Sequence, residues 1–346
     1  MKVAIVILNW NGKAMMQKYL SSIITCSPDY AGIIVADNNS SDGSIEYLRA
    51  TYPNVQTIIL EKNYGFAEGY NRALSQIEAE YYMLINSDVE VTSNWLQPLV
   101  SFMDSHTECS ACQPKILSMY NRDSFEYAGA AGGFIDKYGY PFCRGRVFDK
   151  VEKDNGQYDS IAEIFWATGA CMLVRSRDFW SAGGFDPRFF AHNEEIDLCW
   201  RMQITGSKIY CVPSSHVYHV GGGGGAKSGT LPKSSPMKTY LNFRNNLTML
   251  YKNTDRSDLC KVMFMRFVLD YVAAFKMLIA DRNYAEFKAV VKARHDFNKW
   301  RPEFKKARND IQKNRRVKKI AGLYGKSLLW QFYFKGRHKY SMMPNI

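Results

Sequence analysis

Several signatures that would assign a chain to a familiar class are missing from this 346-residue sequence. Among its eight cysteines, only Cys109 and Cys112 form a CxxC motif. A zinc ribbon needs two such pairs, so we expect these thiols to pack in the core. The opening MKVAIVILNWNG passes from one lysine directly into a strand-like stretch, which does not fit a secretory signal peptide. We therefore expect a cytoplasmic protein with reduced cysteines.

Long uninterrupted apolar runs are also missing. The most hydrophobic segment, FMRFVLDYVAAFKMLIA at residues 264–280, contains three charged residues. Its apolar stretches are therefore shorter than the roughly 20 residues that a membrane-spanning helix needs. The pattern leaves two structures open, a helix lying in a membrane interface and a helix packed in a bundle.

Two glycine-rich signatures of nucleotide binding are absent as well. A dinucleotide-binding dehydrogenase would carry G-x-G-x-x-G after the first strand, where this chain reads LNWNG. GGGGGAKS at residues 221–228 resembles a P-loop, but Ala226 replaces a required glycine, and Pro232 and Pro236 would interrupt the following helix. Both classes are therefore excluded, and the stretch up to Pro236 is predicted to be a mobile loop and linker.

The net charge of +12 is unevenly distributed along the chain. Residues 241–346 hold 24 Lys and Arg against 8 Asp and Glu, a net of +16, whereas residues 1–240 hold 21 and 25, a net of −4. Such a division indicates an anionic partner, nucleic acid or acidic lipid. Together with the amphipathic segment at 264–280 it favours an anionic membrane surface on the cytoplasmic side over nucleic acid. A solvated helical face and a homodimer contact are the alternatives.

The first hundred residues alternate between strand and helix patterns. Four strands are predicted at residues 3–8, 32–37, 55–60 and 81–91, with helices between them. This βαβαβαβ order predicts an α/β fold with a mostly parallel sheet covered by helices, and it places ligands at the carboxyl ends of the strands. Polar residues follow three of those strands: Asn9, Trp10, Asn11, Asp37–Ser41 and Asn86–Asp88.

Asp88, which ends a buried apolar strand in INSDVEV, is the best candidate ligand for a metal. A carboxylate in this position suits a hard cation held against a diphosphate, although an aspartate there could equally cap the following helix. Asp37 could bind a ligand or only order its own turn through Asx hydrogen bonds. His219 in VYHVGG could be structural or could join the acids as a metal ligand.

The segment FFAHNEEIDLCWRM, residues 189–202, sets three carboxylates among apolar side chains. Asn193 is predicted to cap the helix that begins there, and Asp197 is spaced to form a surface ion pair with Arg201. Three and four residues on from Glu195 are Leu198 and Cys199, so Glu195 leans toward the apolar side of the helix. Burial would raise its proton affinity, whereas the helix N-terminus would lower it.

Taken in order, these stretches resemble the inverting family 2 glycosyltransferases of the GT-A fold, particularly bacterial rhamnosyltransferase-like enzymes. The likeness covers about residues 1–252 and rests on the ordered motifs VILNWNG, VADNNSSDGS, NYGFAEGYNRAL, LINSDVEV, TGACMLVRSRDFWSAGGFDPRFF, NEEIDLCWRM and VYHVGG. The chain departs from the family in reading Asn86-Ser87-Asp88 where N-P-D is typical, and Glu194-Glu195 where Glu-Asp is usual.

The resemblance implies roles for individual residues. Glu195 matches the catalytic base, and its neighbour Glu194 would support the site or contact the acceptor. Asp88 and His219 would hold Mg²⁺ or Mn²⁺. The donor-binding positions are Trp10, Asp37, Asn63, Asn71, Asn86 and Asp88.

The expected activity is the inverting transfer of a sugar from a nucleotide-diphosphate-sugar donor, a UDP- or dTDP-sugar, to a glycan or lipid-linked glycan acceptor in cell-surface polysaccharide synthesis. Residues 1–235 would form the catalytic domain, divided into a donor half (1–92) and an acceptor half (93–235), and residues 236–346 a basic helical region. Two alternatives are an inactive nucleotide-sugar-binding protein and a nucleotidyltransferase. The retained set of Asp88, Glu195 and His219 argues against the first, and the absence of a basic glycine-rich loop after the first strand argues against the second.

Overall fold

The computed structural model describes residues 1–221, 235–344 and 346, so most of the predicted linker and the P-loop-like stretch lie outside the described residues. The strands are β1 Val3–Asn9, β2 Ala31–Asp37, β3 Gln56–Ile59, β4 Tyr81–Ile85, β5 Val89–Val91, β6 Cys109–Ser118, β7 Gly133–Asp136, β8 Pro141–Cys143, β9 Arg146–Val147, β10 Lys150–Val151, β11 Ala162–Glu163, β12 Cys171–Arg175, β13 Lys208–His219 and β14 Leu323–Tyr324. The α-helices are α1 Lys13–Cys26, α2 Ser44–Thr51, α3 Gly65–Leu74, α4 Gln97–Ser105, α5 Ser176–Ser181, α6 Glu194–Ile204, α7 Pro236–Asn253, α8 Leu259–Ile279, α9 Tyr284–Trp300 and α10 Phe304–Lys313. Short 3₁₀ turns cover Pro187–Phe189 and Tyr340–Met342, and a π-helical turn covers Trp330–Phe334.

Within the described residues the main sheet has nine strands. Eight follow the order β11-β13-β6-β12-β4-β1-β2-β3, and β5 pairs with β13. The predicted parallel pairing holds for β4, β1, β2 and β3. The other half is mixed, because β12 runs antiparallel to both β4 and β6 whereas β13 runs parallel to β6. The chain leaves β1 toward β2 on one side and returns as β4 on the other, so the ends of β1 and β4 flank a topological switch point.

β1 is buried on both faces because its side chains alternate between two hydrophobic cores. Val3, Ile5 and Ile7 pack with α1 and α4, whereas Ala4 and Val6 face the core that contains α3 and α6. Both cores are large, and β1 joins them. The polar residues that follow β1 are therefore held at a rigid edge of the sheet.

A second sheet in the described residues has the order β10-β9-β8-β7-β14, and four of its strands lie between Gly133 and Val151. Its edge strand β14 belongs to the C-terminal region and pairs in parallel with β7. Close to this pair, the buried Asp136 accepts a 2.8 Å hydrogen bond from the backbone N–H of Leu328, which is 192 residues further along the chain. The C-terminal region therefore completes a sheet of the predicted acceptor half.

The remaining C-terminal helices form a cluster in which α7 contacts α6, α8, α9 and α10. The segment predicted from residues 264–280 is the larger part of α8. In the parts of the chain that the structure describes, no helix has both the length and the apolar character needed to cross a bilayer, which confirms the sequence-based expectation for α8.

Candidate active site

The ends of β1 and β2 are joined by a network of polar side chains. Asn9 donates to Asp37 Oδ1 at 2.8 Å and to Ser40 Oγ at 3.0 Å. Asp37 Oδ2 in turn accepts from the backbone N–H of Ser40 at 2.8 Å, so the Asx turn considered for Asp37 is present. Trp10, next along the chain from Asn9, is 58% exposed. An indole open to solvent beside this network can stack on a planar ligand.

Two predicted donor residues serve the local fold. Asn63 accepts from the side chain of Asn38 at 3.0 Å and from the N–H of Gly65 at 2.8 Å, which orders the turn before α3. Asn71 donates to the carbonyl of Phe185 at 2.8 Å and accepts from its N–H at 3.0 Å. Both amide ends of Asn71 are therefore engaged by the backbone, and these contacts do not favour a role in donor binding.

Asp88 and His219 meet, as the sequence analysis expected, and a second carboxylate lies on the far side of the imidazole. His219 Nε2 is 3.2 Å from Asp88 Oδ1, and His219 Nδ1 is 3.2 Å from Glu126 Oε2. Burial opposes the charge of the imidazolium, but the two carboxylates outweigh it and raise the pKa of His219 well above its usual value. Burial would also raise the pKa of Asp88, but the charge of His219 lowers it on balance.

These residues fit a divalent cation. Nε2 of the buried His219 lies 3.2 Å from Asp88 Oδ1, so a neutral imidazole and this carboxylate could share one cation. Glu126 on Nδ1 matches the carboxylate that commonly orients a metal-bound histidine. The described residues contain no set of three or more His, Cys, Asp or Glu arranged as a metal cage, so substrate oxygens and water would have to complete the coordination shell.

Gly12 allows the side chain of Asn9 to pack closely against the backbone. A Cβ added at Gly12 would lie 2.4 Å from Asn9 Oδ1 and 3.3 Å from Ser87 Oγ. Asn9 Oδ1 is buried and has no partner among residues 1–221, 235–344 and 346. A larger residue at position 12 would therefore displace Asn9 from the network with Asp37 and Ser40.

Glu194 and Glu195 open α6 with carboxylates that no cation of the described residues neutralises. Glu194 is buried and Glu195 is half-buried, and in each side chain Oε2 lacks a hydrogen-bonding partner in the described chain. Burial raises the pKa of Glu194 well above its usual value, and Glu195 adds to the shift. Burial also raises the pKa of Glu195 to about 7, although the backbone N–H groups of Glu195 and Ile196 oppose it. In the competition identified from the sequence, burial therefore outweighs the helix N-terminus.

Asp197 has the opposite environment: its predicted ion pair with Arg201 forms, but it is buried and does not lie at the surface. The side chain is fully buried, where Asp197 Oδ2 accepts from Arg201 at 2.8 Å and from Lys252 at 3.0 Å, and Oδ1 accepts from Asn253 at 2.7 Å. Burial alone would raise the pKa of Asp197, but Lys252 and Arg201 reverse the shift and lower it. Asp197 is therefore a structural anion that ties α6 to α7.

The predicted cap by the side chain of Asn193 is also absent. Asn193 has a left-handed backbone with φ of 69°, and its side chain makes no capping hydrogen bond to α6.

One short segment connects the metal-binding candidates with the acids of α6. A Cβ added at Gly169 would lie 3.9 Å from Cβ of Glu195, so the chain passes beside the base of this side chain. The next residue, Ala170, accepts a 3.0 Å bond from the N–H of Asn86, two residues before Asp88. Residues 168–170 thus lie between the two groups of acids, at the switch point of the sheet.

Sequence reasoning missed Glu126. It lies in SFEYAG, a stretch without a recognisable motif, and reaches His219 because its backbone N–H bonds to the carbonyl of Ile116, on β6 beside β13. That pairing joins distant parts of the chain, so the local sequence contains no signal for it.

Comparison with known proteins agrees with this geometry. Residues 4–161 match the family model for Glycosyl transferase family 2. An N-acetylglucosaminyl-diphospho-decaprenol L-rhamnosyltransferase of Mycobacterium tuberculosis is 25% identical over 222 residues, which cover 59% of this chain and 71% of that protein. Rhamnosyltransferase WbbL of Escherichia coli is 24% identical over 230 residues, which cover 63% of this chain and 83% of the relative.

Solved structures share the fold at low sequence identity. A crystal structure of GalNAc-T7 with UDP, GalNAc and Mn²⁺ aligns with a TM-score of 0.57 and 18% identity, covering 92% of this chain and 58% of that one. Residues 1–349 of Staphylococcus aureus TarS with UDP-GlcNAc align with a TM-score of 0.56 and 16% identity, covering 91% and 89%. The fold is therefore that of the GT-A glycosyltransferases. The match at residues 4–161, together with the two rhamnosyltransferases, makes this chain similar to the proteins of glycosyl transferase family 2.

The contrasting environments of the acids in α6 give a test of stability. Asp197→Ala should lower the free energy of unfolding by about 3–5 kcal/mol, because Lys252 and Arg201 would be left buried without their anion. Glu195→Gln is the matched control and should change stability little, since it removes a carboxylate that has no cationic partner in the described part of the chain. Urea unfolding of both variants measures the difference. Equal stability of the Asp197 variant and the native protein would contradict the structural role.

Proposed function

We propose that the protein is an inverting glycosyltransferase that moves a sugar from a nucleotide-diphosphate sugar to a hydroxyl of a glycan or lipid-linked glycan. The observation that carries the proposal is the carboxylate of Glu195, which has no cationic partner among the described residues and a pKa raised to about 7, on a side chain that lies beside Gly169. A general base works best when its pKa is close to the operating pH, and Glu195 meets that requirement. The rhamnosyltransferase relatives support a role in cell-surface polysaccharide synthesis.

The chemistry requires one proton transfer and one displacement. The acceptor hydroxyl gives its proton to the ionised carboxylate of Glu195 while its oxygen forms a bond to the anomeric carbon of the donor. On the opposite face of the sugar, the bond from the anomeric carbon to the diphosphate breaks, and the electron pair leaves with the nucleoside diphosphate. Attack opposite the leaving group inverts the anomeric configuration.

Donor binding would use the carboxyl edge of the sheet. The exposed Trp10 would stack on the base of a UDP- or dTDP-sugar, and Asp37 would accept hydrogen bonds from base or ribose. Asp88, with His219 Nε2, would hold Mg²⁺ or Mn²⁺. The bound cation would offset the negative charge that develops on the leaving diphosphate. The structures of GalNAc-T7 with UDP and Mn²⁺ and of TarS with UDP-GlcNAc support this choice of ligands.

Glu195→Gln should keep donor affinity and lower turnover by about 10²–10⁴-fold, the usual contribution of a positioned general base. The native turnover should fall as the pH drops below about 7, because the carboxylate gains a proton there, and the Gln variant should lose this acid limb. Release of nucleotide measures turnover, and calorimetry with UDP measures affinity.

Glu194→Gln is the matched control at the neighbouring position and should reduce turnover less, and Glu195→Asp should keep partial activity. If Glu194→Gln abolishes turnover while Glu195→Gln leaves it intact, the base is assigned to the wrong residue.

Asp88→Ala should lower turnover by at least about a hundredfold and weaken binding of Mn²⁺ followed by electron paramagnetic resonance. Glu90→Ala is the matched control, because Glu90 is paired with Arg122 at 2.7 Å and is not part of the Asp88–His219 contact. Full activity of the Asp88 variant, or of the native enzyme in EDTA, would refute metal-dependent transfer.

The structure also favours a membrane surface as a partner, because α8 buries charged side chains and exposes apolar ones. Arg266 and Asp270 lie on its buried face, where they pair at 2.7 Å and Asp270 also pairs with Arg294 at 3.1 Å. The solvent-exposed face is almost entirely apolar: Phe264, Phe267, Val268, Val272, Phe275 and Ile279, with Phe264 65% and Ile279 72% exposed. A contiguous exposed apolar face of this kind indicates a surface that is covered in use.

The positive charge of this region favours an anionic bilayer, rather than a second copy of the chain, as the surface that covers α8. Lys261 and Lys276 are exposed along the same helix, and its one carboxylate within the described residues is the buried Asp270. Residues 241–346 carry a net charge of +16, so two copies meeting here would repel each other, whereas acidic lipid headgroups would be attracted. All eight cysteines are free thiols, which fits the cytoplasmic face of the membrane.

The protein should sediment with vesicles containing about one third phosphatidylglycerol at low salt and much less at high salt, since salt screens exposed charges. The double variant Phe264→Ser with Phe275→Ser should reduce binding at least fivefold, because each exposed ring contributes roughly 1 kcal/mol or more of transfer free energy. Tyr120→Ser, at another exposed aromatic position, is the control. Absence of binding at low salt, or a dimer in solution that the double variant dissolves, would overturn the membrane assignment.

A further inference from the structure

The loop before α6 has an unusual backbone. Phe190, His192 and Asn193 all have positive φ values, 64°, 73° and 69°. Residues other than glycine adopt this region at a cost, so three of them within four positions persist only where neighbouring groups hold them. Glu194 and Glu195 follow immediately, so the path of this loop sets where their carboxylates lie.

The amide of Asn245, on α7, holds the loop. Its Nδ2 donates to the carbonyls of Phe189 at 2.9 Å, Ala191 at 2.8 Å and His192 at 2.8 Å. A primary amide has two hydrogens, so one of them is shared between acceptors. Asn245 is fully buried, so water could bind these carbonyls in place of the amide only if a cavity formed there. Its three acceptors lie between and beside the residues with positive φ, which makes the amide a clamp on the strained part of the loop.

Residues on either side of Asn245 extend the contact. Arg244 Nη2 donates to the carbonyls of Arg188 at 2.9 Å and Phe189 at 3.0 Å. Arg244 Nε also donates to Asn245 Oδ1 at 2.9 Å, which orients the amide so that its NH₂ group faces the loop. On its other side, the loop uses the carbonyl of Phe190 to accept from the N–H of Phe66 at 2.6 Å, at the start of α3. The loop is thus fixed between α7 and α3.

We propose that Asn245 and Arg244 are positioning residues for transfer, and that the C-terminal region sets the geometry of the Glu195 carboxylate through the loop 188–193. The inference rests on the proposed role of Glu195 as the base. Displacement of a reacting group by about 1 Å can cost on the order of a hundredfold in rate. The effect of α7 is therefore expected on turnover rather than on donor affinity.

The test is a double-mutant cycle in the full-length protein. Asn245→Ala should lower turnover about 10–100-fold and leave the affinity for UDP with Mn²⁺ within about twofold. In the Glu195→Gln background the same change should lower turnover less than about threefold, because the carboxylate that the loop positions is already gone. Thr248→Ala is the control, since the buried Thr248 hydroxyl bonds only within α7, to the carbonyl of Arg244 at 2.9 Å.

A second readout separates this inference from the assignment of the base. Amide hydrogen exchange at residues 190–195 should be about tenfold faster in Asn245→Ala than in Thr248→Ala, whatever residue acts as the base. If Asn245→Ala does not fold, Arg244→Lys keeps the charge and loses the second donor arm, and the same cycle applies. An equal loss of turnover in both backgrounds, or unchanged exchange at 190–195, would overturn the proposal. Normal turnover of Glu195→Gln alone would instead refute the assignment of the base.

Discussion

The burial of Glu194 and the partial burial of Glu195, without a cationic partner among the described residues, is the constraint on which the rest of the site depends. A buried carboxylate without a counterion is strongly disfavoured in its charged form, and the pKa rises instead. Both residues begin a helix, where backbone N–H groups partly offset the effect of burial on the carboxylate. The pKa of Glu195 is therefore raised only to about 7. The strained loop before α6 and the clamp from α7 hold this arrangement in place. The sheet supplies the rigid edge that faces it.

Within four residues, α6 contains carboxylates with opposite functions. Asp197 is surrounded by Arg201, Lys252 and Asn253, remains ionised and links two helices. Glu195 lacks any such partner among the described residues and exchanges a proton near neutral pH. A carboxylate therefore stabilises the fold at position 197 and is suited to proton transfer at position 195. The surrounding residues determine which role each carboxylate has. Asp88 and His219 form a third arrangement, in which each group favours the charged form of the other.

The order of elements in the first hundred residues could be predicted because buried strands and amphipathic helices leave periodic patterns, and the family resemblance supplied the fold. The structural neighbours confirm that fold. Contacts between distant segments could not be predicted. Glu126 reaches His219 through the pairing of distant strands, and Asn245 meets its loop from 53 residues further along the chain. Asn71 matched a family position, but its amide binds the backbone of Phe185. β12 lies antiparallel between β4 and β6, and the periodicity of the sequence does not predict which strands pair or in which direction.

The pairing of β14 with β7 has a consequence for how the protein is made. β1 to β4 are close in sequence and can assemble while the rest of the chain is still on the ribosome, because domains form from the N-terminus as it emerges. The smaller sheet cannot gain its edge strand, and Asp136 cannot meet Leu328, until residues 323–328 have been synthesised. Closing a contact of such long range is slow. A nascent chain can therefore pair its first four strands well before its smaller sheet is complete.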